Sequence, residues 1–556
     1  MINKEKEIKN SGLKIEFIVL IILYLGMLYL WTLPFQKQQI PYGEPDAAIH
    51  FTMADKIYLK DKPLLQAPPA NTLLGFDVDY KQGFPSYPPQ FYTGLGITEI
   101  VGGGRVVPFY LYLAIACSLV FFSFYFLLRK LFGPATAMLA LLFFVFSMRD
   151  RLTYLWGQWA TAIAFAFIPA ILYTSYEYIN SFLEKDKKEK PLYLYLTSVL
   201  LALQFLFHAA IFFLCIGMIV IYIIAIAIKE RKIPFNIKTL VIGIFLLFFV
   251  IFAFAPQQAT SNFQRVFYDL GLYNNPDMAF NEVTLKQNVT YGGISRIFKW
   301  YDFPQDVTGA YPPFLFSFKS IYYSYWVLPF LIIGIIFLVL RRNRRDLLML
   351  STIASLYVFL HTDVIGIHLE KVIRFFYTES IIFYSLIAIG ITSIPNIISS
   401  FVKVNENSRN IMKYTLIVIA AILIFSINAQ PTYEQLKYTY GEGMRLNSAE
   451  FLAANWINDN LPQDAGIMYV GTPTFPLRAW LEAVSGRLGI FDNLNIIPEK
   501  DQNINKTDYI LIDYSFYMVN NEQAKQAMSY LQEWEKSNTK QNPVYDENGI
   551  KIFKVD

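Results

Sequence analysis

The sequence predicts a multi-pass α-helical membrane protein with about 11 transmembrane helices and a small C-terminal extracytoplasmic α/β domain. Of its 556 residues, 55% are hydrophobic and only 16% are charged, and the mean hydropathy is +0.36. Soluble proteins carry roughly 25% charged residues, so this chain has too few to cover a water-exposed globule of its size. The composition excludes an ordinary cytosolic enzyme, a disordered protein and a disulfide-rich secreted module.

The net charge and the cysteines argue against further kinds of protein and site. The net charge is only +4, and the basic residues lie in short clusters between apolar runs, which argues against a nucleic-acid partner. The two cysteines, Cys117 and Cys215, both lie within apolar runs. Neither a disulfide framework nor a thiolate metal site is therefore expected.

Eleven apolar runs approach the roughly 20 residues that a helix needs to cross a bilayer. They lie near residues 15–34, 106–128, 134–148, 158–178, 192–207, 209–227, 239–255, 323–340, 347–361, 372–394 and 414–429. The stretch 192–228 is divided at His208, because a single helix of that length, at about 1.5 Å per residue, would be longer than a bilayer is thick.

The basic residues predict the orientation of these crossings. Alternate short connections, beginning with the N-terminal segment, contain 21 Lys and Arg residues, whereas the short loops between them contain four. Because Lys and Arg are enriched on the cytoplasmic side, the N-terminus is predicted to be cytoplasmic. The loops 35–105 and 256–322 and the tail 430–556 are then extracytoplasmic. The frequent Lys, Asn, Ile and Tyr suggest a prokaryote, and hence a plasma-membrane location.

The chain is predicted to divide into a membrane domain, 1–429, and a soluble domain, 430–556. The tail has short patterned runs that predict helices near 448–459, 476–486 and 521–535 and strands at 466–471, 508–513 and 549–555. Alternation of strands and helices is typical of a small α/β domain.

The first outer loop carries the strongest candidate site, with Glu44, Asp46 and His50 shortly after the first crossing. If a helix begins at Asp46, the side chains of Asp46 and His50 share one face. Such a group can bind a divalent cation such as Mg²⁺ or Mn²⁺. Alternatively, one carboxylate can accept a proton from an attacking hydroxyl without a metal. A helix N-cap also explains Asp46, and the roles are compatible.

All four histidines lie at predicted outer ends of crossings or in outer loops. They are His50, His208, His361 and His368. Histidine titrates near neutral pH and binds metals, so these residues are candidates to support a site at this face. The alternative for each is an ordinary polar group at a helix end.

The connection 361–374 is unusually polar and ends with Lys371 and Arg374. An Arg at the membrane rim can bind a lipid phosphate through two parallel hydrogen bonds. A structural role, with Arg374 reaching the interface or pairing with Glu379, is the alternative. The charged residues 149–151 form another outer cluster, to which the sequence assigns no role.

The layout resembles the GT-C superfamily of integral-membrane glycosyltransferases, whose first outer loop carries an acidic motif just after the first crossing. Glu44-Pro-Asp46 matches the E-x-D form of that motif, residues 86–92 resemble the Tyr-Pro-Pro stretch before the second crossing, and residues 480–487 resemble a helix that ends in Gly-Arg. The tail lacks the W-W-D-x-G motif of oligosaccharyltransferase catalytic subunits, which argues against transfer of a whole glycan to Asn.

The resemblance implies an inverting transfer of a sugar from a polyprenyl-phosphate donor to a glycan, lipid or protein acceptor. It implies that Asp46 is the general base or the metal-anchoring carboxylate, supported by Glu44. Lys371 and Arg374 would bind the donor phosphate. The acceptor would be bound by residues that include Tyr87 and Arg487.

Two other functions fit a chain of this layout. A transporter or flippase for a lipid-linked sugar predicts polar residues deep within several crossings and inverted symmetry between halves, and the sequence shows neither. A catalytically silent subunit, whose tail recruits a partner, would keep the same layout with a degenerate site.

Overall fold

The computed structural model describes residues 2–36, 39–43, 45–59, 89–184, 188–256, 259–260, 263, 325–362, 375, 377–437, 446–462, 465–471, 475–486, 490–492, 508–515, 522–539 and 541–555. The chain forms two compact units. The first, which we call the membrane unit, comprises Met1–Trp31, Ala114–Tyr154 and Trp159–Glu434. The second, which we call the loop–tail unit, comprises Thr32–Leu113, Leu155–Gln158 and Gln435–Asp556.

Helices follow one another along the described part of the chain up to residue 437. They are α1 (Ile2–Gln36), α2 (Pro45–Leu59), α3 (Pro89–Gly102), α4 (Val107–Ser118), α5 (Val120–Phe132), α6 (Pro134–Val145), α7 (Met148–Leu155), α8 (Trp159–Phe165), α9 (Phe167–Leu183), α10 (Pro191–Phe207), α11 (Ala209–Glu230), α12 (Ile237–Phe254), α13 (Leu328–Arg341), α14 (Arg344–Leu360), α15 (Glu379–Phe401) and α16 (Glu406–Lys437).

Seven helical segments of the described residues are long and apolar enough to cross a membrane, so this is a multi-pass membrane protein. They are Lys14–Gln36, Val107–Phe132, Trp159–Leu183, Ala209–Glu230, Ile237–Phe254, Glu379–Phe401 and Glu406–Lys437. The other four predicted crossings coincide with α6, α10, α13 and α14, which have 12, 17, 14 and 17 residues. The count of 11 crossings stays a prediction.

Buried hydroxyl groups connect helices of the membrane unit. Thr136 of α6 and Thr392 of α15 lie 2.9 Å apart through their Oγ1 atoms. Thr197 of α10 donates to Thr174 of α9 at 2.8 Å. Small hydroxyl side chains let apolar helices approach closely and add a hydrogen bond where lipid offers none.

The C-terminal part of the loop–tail unit combines three helices with a five-stranded sheet. Its elements are α17 (Ser448–Asn460), β1 (Ile467–Val470), α18 (Phe475–Ser485), β2 (Ile490–Asp492), β3 (Tyr509–Asp513), α19 (Glu522–Asn538), β4 (Tyr545–Glu547) and β5 (Ile550–Lys554). The strand order is β2-β1-β3-β5-β4, with β1 parallel to both neighbours and β5 antiparallel to β3 and β4.

Local sequence explains the hairpin and the core of this sheet. Asn548 and Gly549 form the two-residue turn between β4 and β5, and both have positive φ, 54° and 83°. Asn-Gly is the residue pair that such a turn favours. Alternate residues of the strands, including Ile510, Ile512 and Phe553, form an apolar core against which α19 packs.

The loop–tail unit therefore combines the predicted first outer loop and the C-terminal sheet in one compact unit. It contains α2 and α3, which lie within that loop, together with α17 to α19. The predicted boundary between residues 429 and 430 stays a prediction.

Candidate active site

The candidate motif lies at the start of α2 (Pro45–Leu59). The helix that the sequence predicts from Asp46 begins one residue earlier, at Pro45, and proline is favoured at the first helical position because its missing N–H would be unpaired there. Asp46 is thus in the first turn, where the positive end of the helix dipole stabilises a carboxylate. Glu44 and the side chain of Asp46 lie outside the described residues.

Two tyrosines fix the chain just before this motif. The Tyr110 hydroxyl donates to the Tyr42 carbonyl oxygen at 2.7 Å and accepts from the Tyr42 amide at 2.8 Å. The two rings are stacked, with centroids 4.2 Å apart, and both side chains are fully buried. One side chain therefore satisfies both backbone groups of the residue two positions before Glu44, which restricts the path of the motif.

The segment Leu155–Gln158 packs against the first turn of α2 within the loop–tail unit. Gly157 has a φ of +87°, and a Cβ at this position would overlap the backbone of Ala47. Only glycine combines this left-handed backbone with so close an approach. The residue after Asp46 is thus held by a close backbone contact that no sequence pattern predicted.

His50 lies one turn after Asp46 on α2 and is 2% exposed. Its ring meets Phe91 edge-on at 4.9 Å and lies 5.8 Å from the ring of Tyr92. The spacing of four residues puts Asp46 and His50 on one face of the helix. The described residues contain no group of three or more His, Cys, Asp and Glu that could hold a metal ion. The predicted metal site of Glu44, Asp46 and His50 stays a prediction.

Two further histidines belong to the membrane unit. His208 is buried between α10 and α11, where the chain is extended, so the predicted break at this residue is confirmed. His361 follows α14, with its Nδ1 2.7 Å from the Tyr357 carbonyl oxygen and its ring stacked on that of Tyr357 at 4.2 Å. His368 lies outside the described residues.

A buried pair of carboxyl groups lies at the contact of α2 and α3. Asp55 of α2 forms an ion pair with Arg105, whose Nε lies 2.9 and 3.0 Å from the two carboxylate oxygens and whose Nη2 also donates to Asp55. Glu99 of α3 is completely buried beside them. Burial, reinforced by the Asp55 carboxylate and opposed by Arg105, raises the pKa of Glu99 to about 10. Glu99 is therefore a neutral carboxylic acid at physiological pH.

Replacing Glu99 with Gln is expected to make thermal stability less dependent on pH. The pKa of Glu99 is raised from 4.5 to about 10 on folding, so its contribution is fully present below pH 4.5 and is lost progressively as the pH rises toward 10. Gln resembles the neutral acid and does not titrate. Melting temperatures measured from pH 5 to 9 should therefore fall more steeply for the wild type. Parallel curves would contradict the neutral state of Glu99.

The membrane unit holds a second polar cluster, on α7 (Met148–Leu155), that the sequence left without a role. Arg149, Asp150 and Arg151 are 2%, 5% and 1% exposed. Arg149 forms an ion pair with Glu379 at the start of α15, and Arg151 donates to Thr432 of α16. The structural alternative for Arg374, a pairing with Glu379, stays a prediction, because Arg374 lies outside the described residues.

Hydroxyl groups surround the acid of this second cluster. Ser380 donates to Asp150 at 2.9 Å and Tyr384 at 3.1 Å, and Ser147 also donates to it. Burial raises the pKa of Asp150, although the three hydroxyls oppose that effect. The cluster ties α7 to the N-terminal turn of α15, which directly follows the predicted phosphate-binding connection.

The remaining predicted site residues fall outside the part of the chain that the structure describes. They are the donor-binding candidates Lys371 and Arg374 and the acceptor-binding candidates Tyr87 and Arg487. The structure describes the residues directly before one of these positions, Arg487. Helix α18 ends at Ser485, and Gly486, with a φ of +65°, precedes Arg487.

Solved structures show what this fold resembles. ArnT from Cupriavidus metallidurans bound to undecaprenyl phosphate matches with a TM-score of 0.57 and 10% identity, over 98% of each chain. The oligosaccharyltransferase AglB from Archaeoglobus fulgidus, in complex with an inhibitory peptide and a dolichol-phosphate, matches with a TM-score of 0.55 and 14% identity, over 97% of this chain and 74% of AglB. Both are GT-C glycosyltransferases, so the chain has the GT-C fold.

Sequence comparisons add a family but no activity. No curated protein matches the sequence. A family model described as a family of unknown function, DUF6541, matches residues 97–473, which is more than half of the chain. The chain belongs to this DUF6541 family.

Proposed function

We propose that the protein is an inverting glycosyltransferase that moves a sugar from a polyprenyl-phosphate-linked donor to a glycan, lipid or protein acceptor. The observation that carries the proposal is the fold match over almost the whole chain to two GT-C enzymes, solved with undecaprenyl phosphate and with a dolichol-phosphate. The Glu44-Pro-Asp46 segment agrees with it, since it follows α1 where the superfamily carries its acidic motif.

In this reaction the acceptor hydroxyl attacks the anomeric carbon from the side opposite the phosphate. The new glycosidic bond forms as the bond to the phosphate oxygen breaks, and polyprenyl phosphate leaves with the bonding electrons. Asp46, supported by Glu44, takes the hydroxyl proton. If the site binds a divalent cation, Asp46 would hold it, and the cation would lower the pKa of the hydroxyl so that its proton passes to solvent. Lys371 and Arg374 neutralise the charge that grows on the leaving phosphate. Tyr87 and Arg487 contact the acceptor.

The basic loops give the protein its orientation in this proposal. The N-terminus lies in the cytoplasm of a prokaryote, and the chain crosses the plasma membrane 11 times. The C-terminal α/β domain and the first outer loop then lie together outside the cell, where donor and acceptor meet. Measuring transfer after chelation by EDTA separates the metal-anchored reaction from the metal-independent one.

Binding of the carrier tests the donor class directly. Undecaprenyl phosphate is expected to raise the melting temperature of the purified protein, because a ligand present at 100 times its Kd stabilises the folded state by about 2.7 kcal/mol. Undecaprenol lacks the phosphate and inorganic phosphate lacks the polyprenyl chain, so neither should change the melting temperature. An Arg374→Ala variant should lose most of the shift if this guanidinium binds the phosphate.

Equal stabilisation by undecaprenol would show that the site recognises only the polyprenyl chain, and would contradict a phosphate-directed site. A lipid-linked-sugar transporter would bind the same carrier but would leave the sugar–phosphate bond intact. A silent subunit would show neither transfer nor transport. Once carrier binding is established, an assay of sugar transfer therefore distinguishes a glycosyltransferase from a transporter and from a silent subunit.

A further inference from the structure

The C-terminal part of the chain contacts the candidate motif through one hydrogen bond. Trp480 of α18 donates its indole N–H to the Gly43 carbonyl oxygen at 2.7 Å, across 437 positions of sequence. Trp480 is completely buried, and its ring packs edge-on against Phe51 of α2 at 5.6 Å. The bond therefore lies in a water-free environment, where an unpaired carbonyl is costly. Gly43 directly precedes Glu44.

A second bridge reaches α2 near its other end. Besides its bonds to Asp55, Arg105 donates through Nη1 to Asn455 Oδ1 of α17 at 3.1 Å. Its Nη2 donates to the Val484 carbonyl oxygen of α18 at 3.0 Å. One guanidinium thus binds α2 and two C-terminal helices at the same time. Only an arginine offers enough donors in a fixed plane for this arrangement.

We propose that Trp480 and Arg105 are positioning residues, through which helices α17 and α18 hold α2 and its Glu44–Asp46 motif in the reactive geometry. This inference rests on the proposed function. It assigns to the C-terminal part a role in building the active site, beyond contact with the acceptor. All residues involved belong to the loop–tail unit.

Trp480 contacts α2 and the residue before the motif in two separable ways. The Trp480 ring packs against Phe51, and the indole N–H holds the Gly43 carbonyl oxygen. Trp480→Phe keeps an aromatic ring but removes the N–H, so it separates the two roles. The Tyr110 contacts fix the residue before Gly43, and the Gly157 contact fixes the residue after Asp46. Trp480 supplies the third restraint on the same short segment. A displacement of about 1 Å in a catalytic group costs as much as 10²-fold in rate.

The test compares Trp480→Phe with Trp534→Phe, kinetically and by hydrogen exchange. Trp534 packs on the core of the sheet, so its substitution removes an indole from the same part of the chain without touching α2. Trp480→Phe is expected to lower kcat per folded molecule by at least tenfold while KM for the donor changes less than twofold. Deuterium uptake in residues 39–50 should rise several-fold in this variant. Trp534→Phe should behave as wild type in both measurements.

Arg105→Lys provides a second, independent variant, because Lys keeps the charge but loses the planar set of donors. It should show the same fall in kcat and the same rise in uptake. Unchanged uptake, or a kcat per folded molecule equal to that of the wild type in either variant, would overturn the proposal. Hydrogen exchange needs no substrate. If the wild-type protein shows no sugar transfer but the variants still take up deuterium faster than it does, the positioning role is supported and the proposed reaction is rejected.

Discussion

Replacing Asp46 with Asn is expected to lower sugar transfer by roughly 10²–10⁴-fold, the usual effect of removing a general base. The amide has the shape of the carboxylate but accepts no proton and binds a cation poorly, so both alternatives for Asp46 predict the loss. The fold should persist, since Asn is tolerated in the first turn of a helix. Initial rates with a polyprenyl-phosphate sugar, together with the melting temperature, measure the two effects separately.

Asp77→Asn is the matched control for this prediction. Asp77 lies in the same predicted outer loop and forms with Asp79 a second acidic pair, for which the sequence favours a solvated turn, so its substitution should leave the rate unchanged. Full activity of Asp46→Asn would remove Asp46 from the mechanism. Equal losses in both variants would indicate a general effect of loop charge.

Replacing Arg149 with Met is expected to destabilise the protein by about 3–5 kcal/mol, because it removes a fully buried cation that pairs with the Glu379 carboxylate. Glu379 is completely buried in the described structure, and the side chains of the pair are 2% and 0% exposed. Adding Glu379→Gln to Arg149→Met should restore part of the loss, since the second substitution removes the buried charge that Arg149 had balanced. Reversible unfolding in detergent measures each variant.

Arg409→Met is the control for the ion pair. Arg409 pairs with Glu406 at 4.0 Å on α16, but the two side chains are 40% and 79% exposed. Solvent screens such a pair, so its loss should cost less than about 1 kcal/mol. Equal destabilisation by Arg149→Met and Arg409→Met, or no recovery in the double variant, would contradict a structural role for the buried pair.

Elements with a strong local pattern were predictable from the sequence. The helices and strands predicted at 448–459, 466–471, 476–486 and 508–513 all lie within about two residues of the observed bounds. Their apolar residues recur with the period of a helix or a strand, and polar or turn residues separate them. The long apolar helices of the membrane unit were predictable for the same reason.

Elements that depend on their neighbours were not predicted. Strand β2 has three residues and β4 reads Tyr-Asp-Glu, and each is a strand because β1 or β5 pairs with it. Helix α3 contains Gly94 and Gly96 in its interior, each of which weakens a helix by about 1 kcal/mol, so local propensity argued against it. Its extensive packing against α2 outweighs that cost.

In the candidate site, too, local patterns were predictable from the sequence and contacts between distant residues were not. The position of Glu44 and Asp46 after an apolar run marked the motif, and the charged residues 149–151 were visible as a cluster. The partners were not visible, because Trp480 and Gly43 are 437 positions apart and Arg149 and Glu379 are 230 apart. A single sequence records which residues are unusual, whereas their pairing is set by the tertiary fold.

Donor turnover by the purified wild-type protein in liposomes is the most direct test of the account. A panel of polyprenyl-phosphate sugars would be supplied with lipid-linked glycan, polysaccharide and peptide acceptors, and products would be identified by mass spectrometry. We expect at least one donor to be consumed, with release of polyprenyl phosphate and formation of an acceptor that carries the sugar. Folded, carrier-binding protein that consumes no donor, or that moves the donor across the bilayer with its sugar–phosphate bond intact, would contradict it.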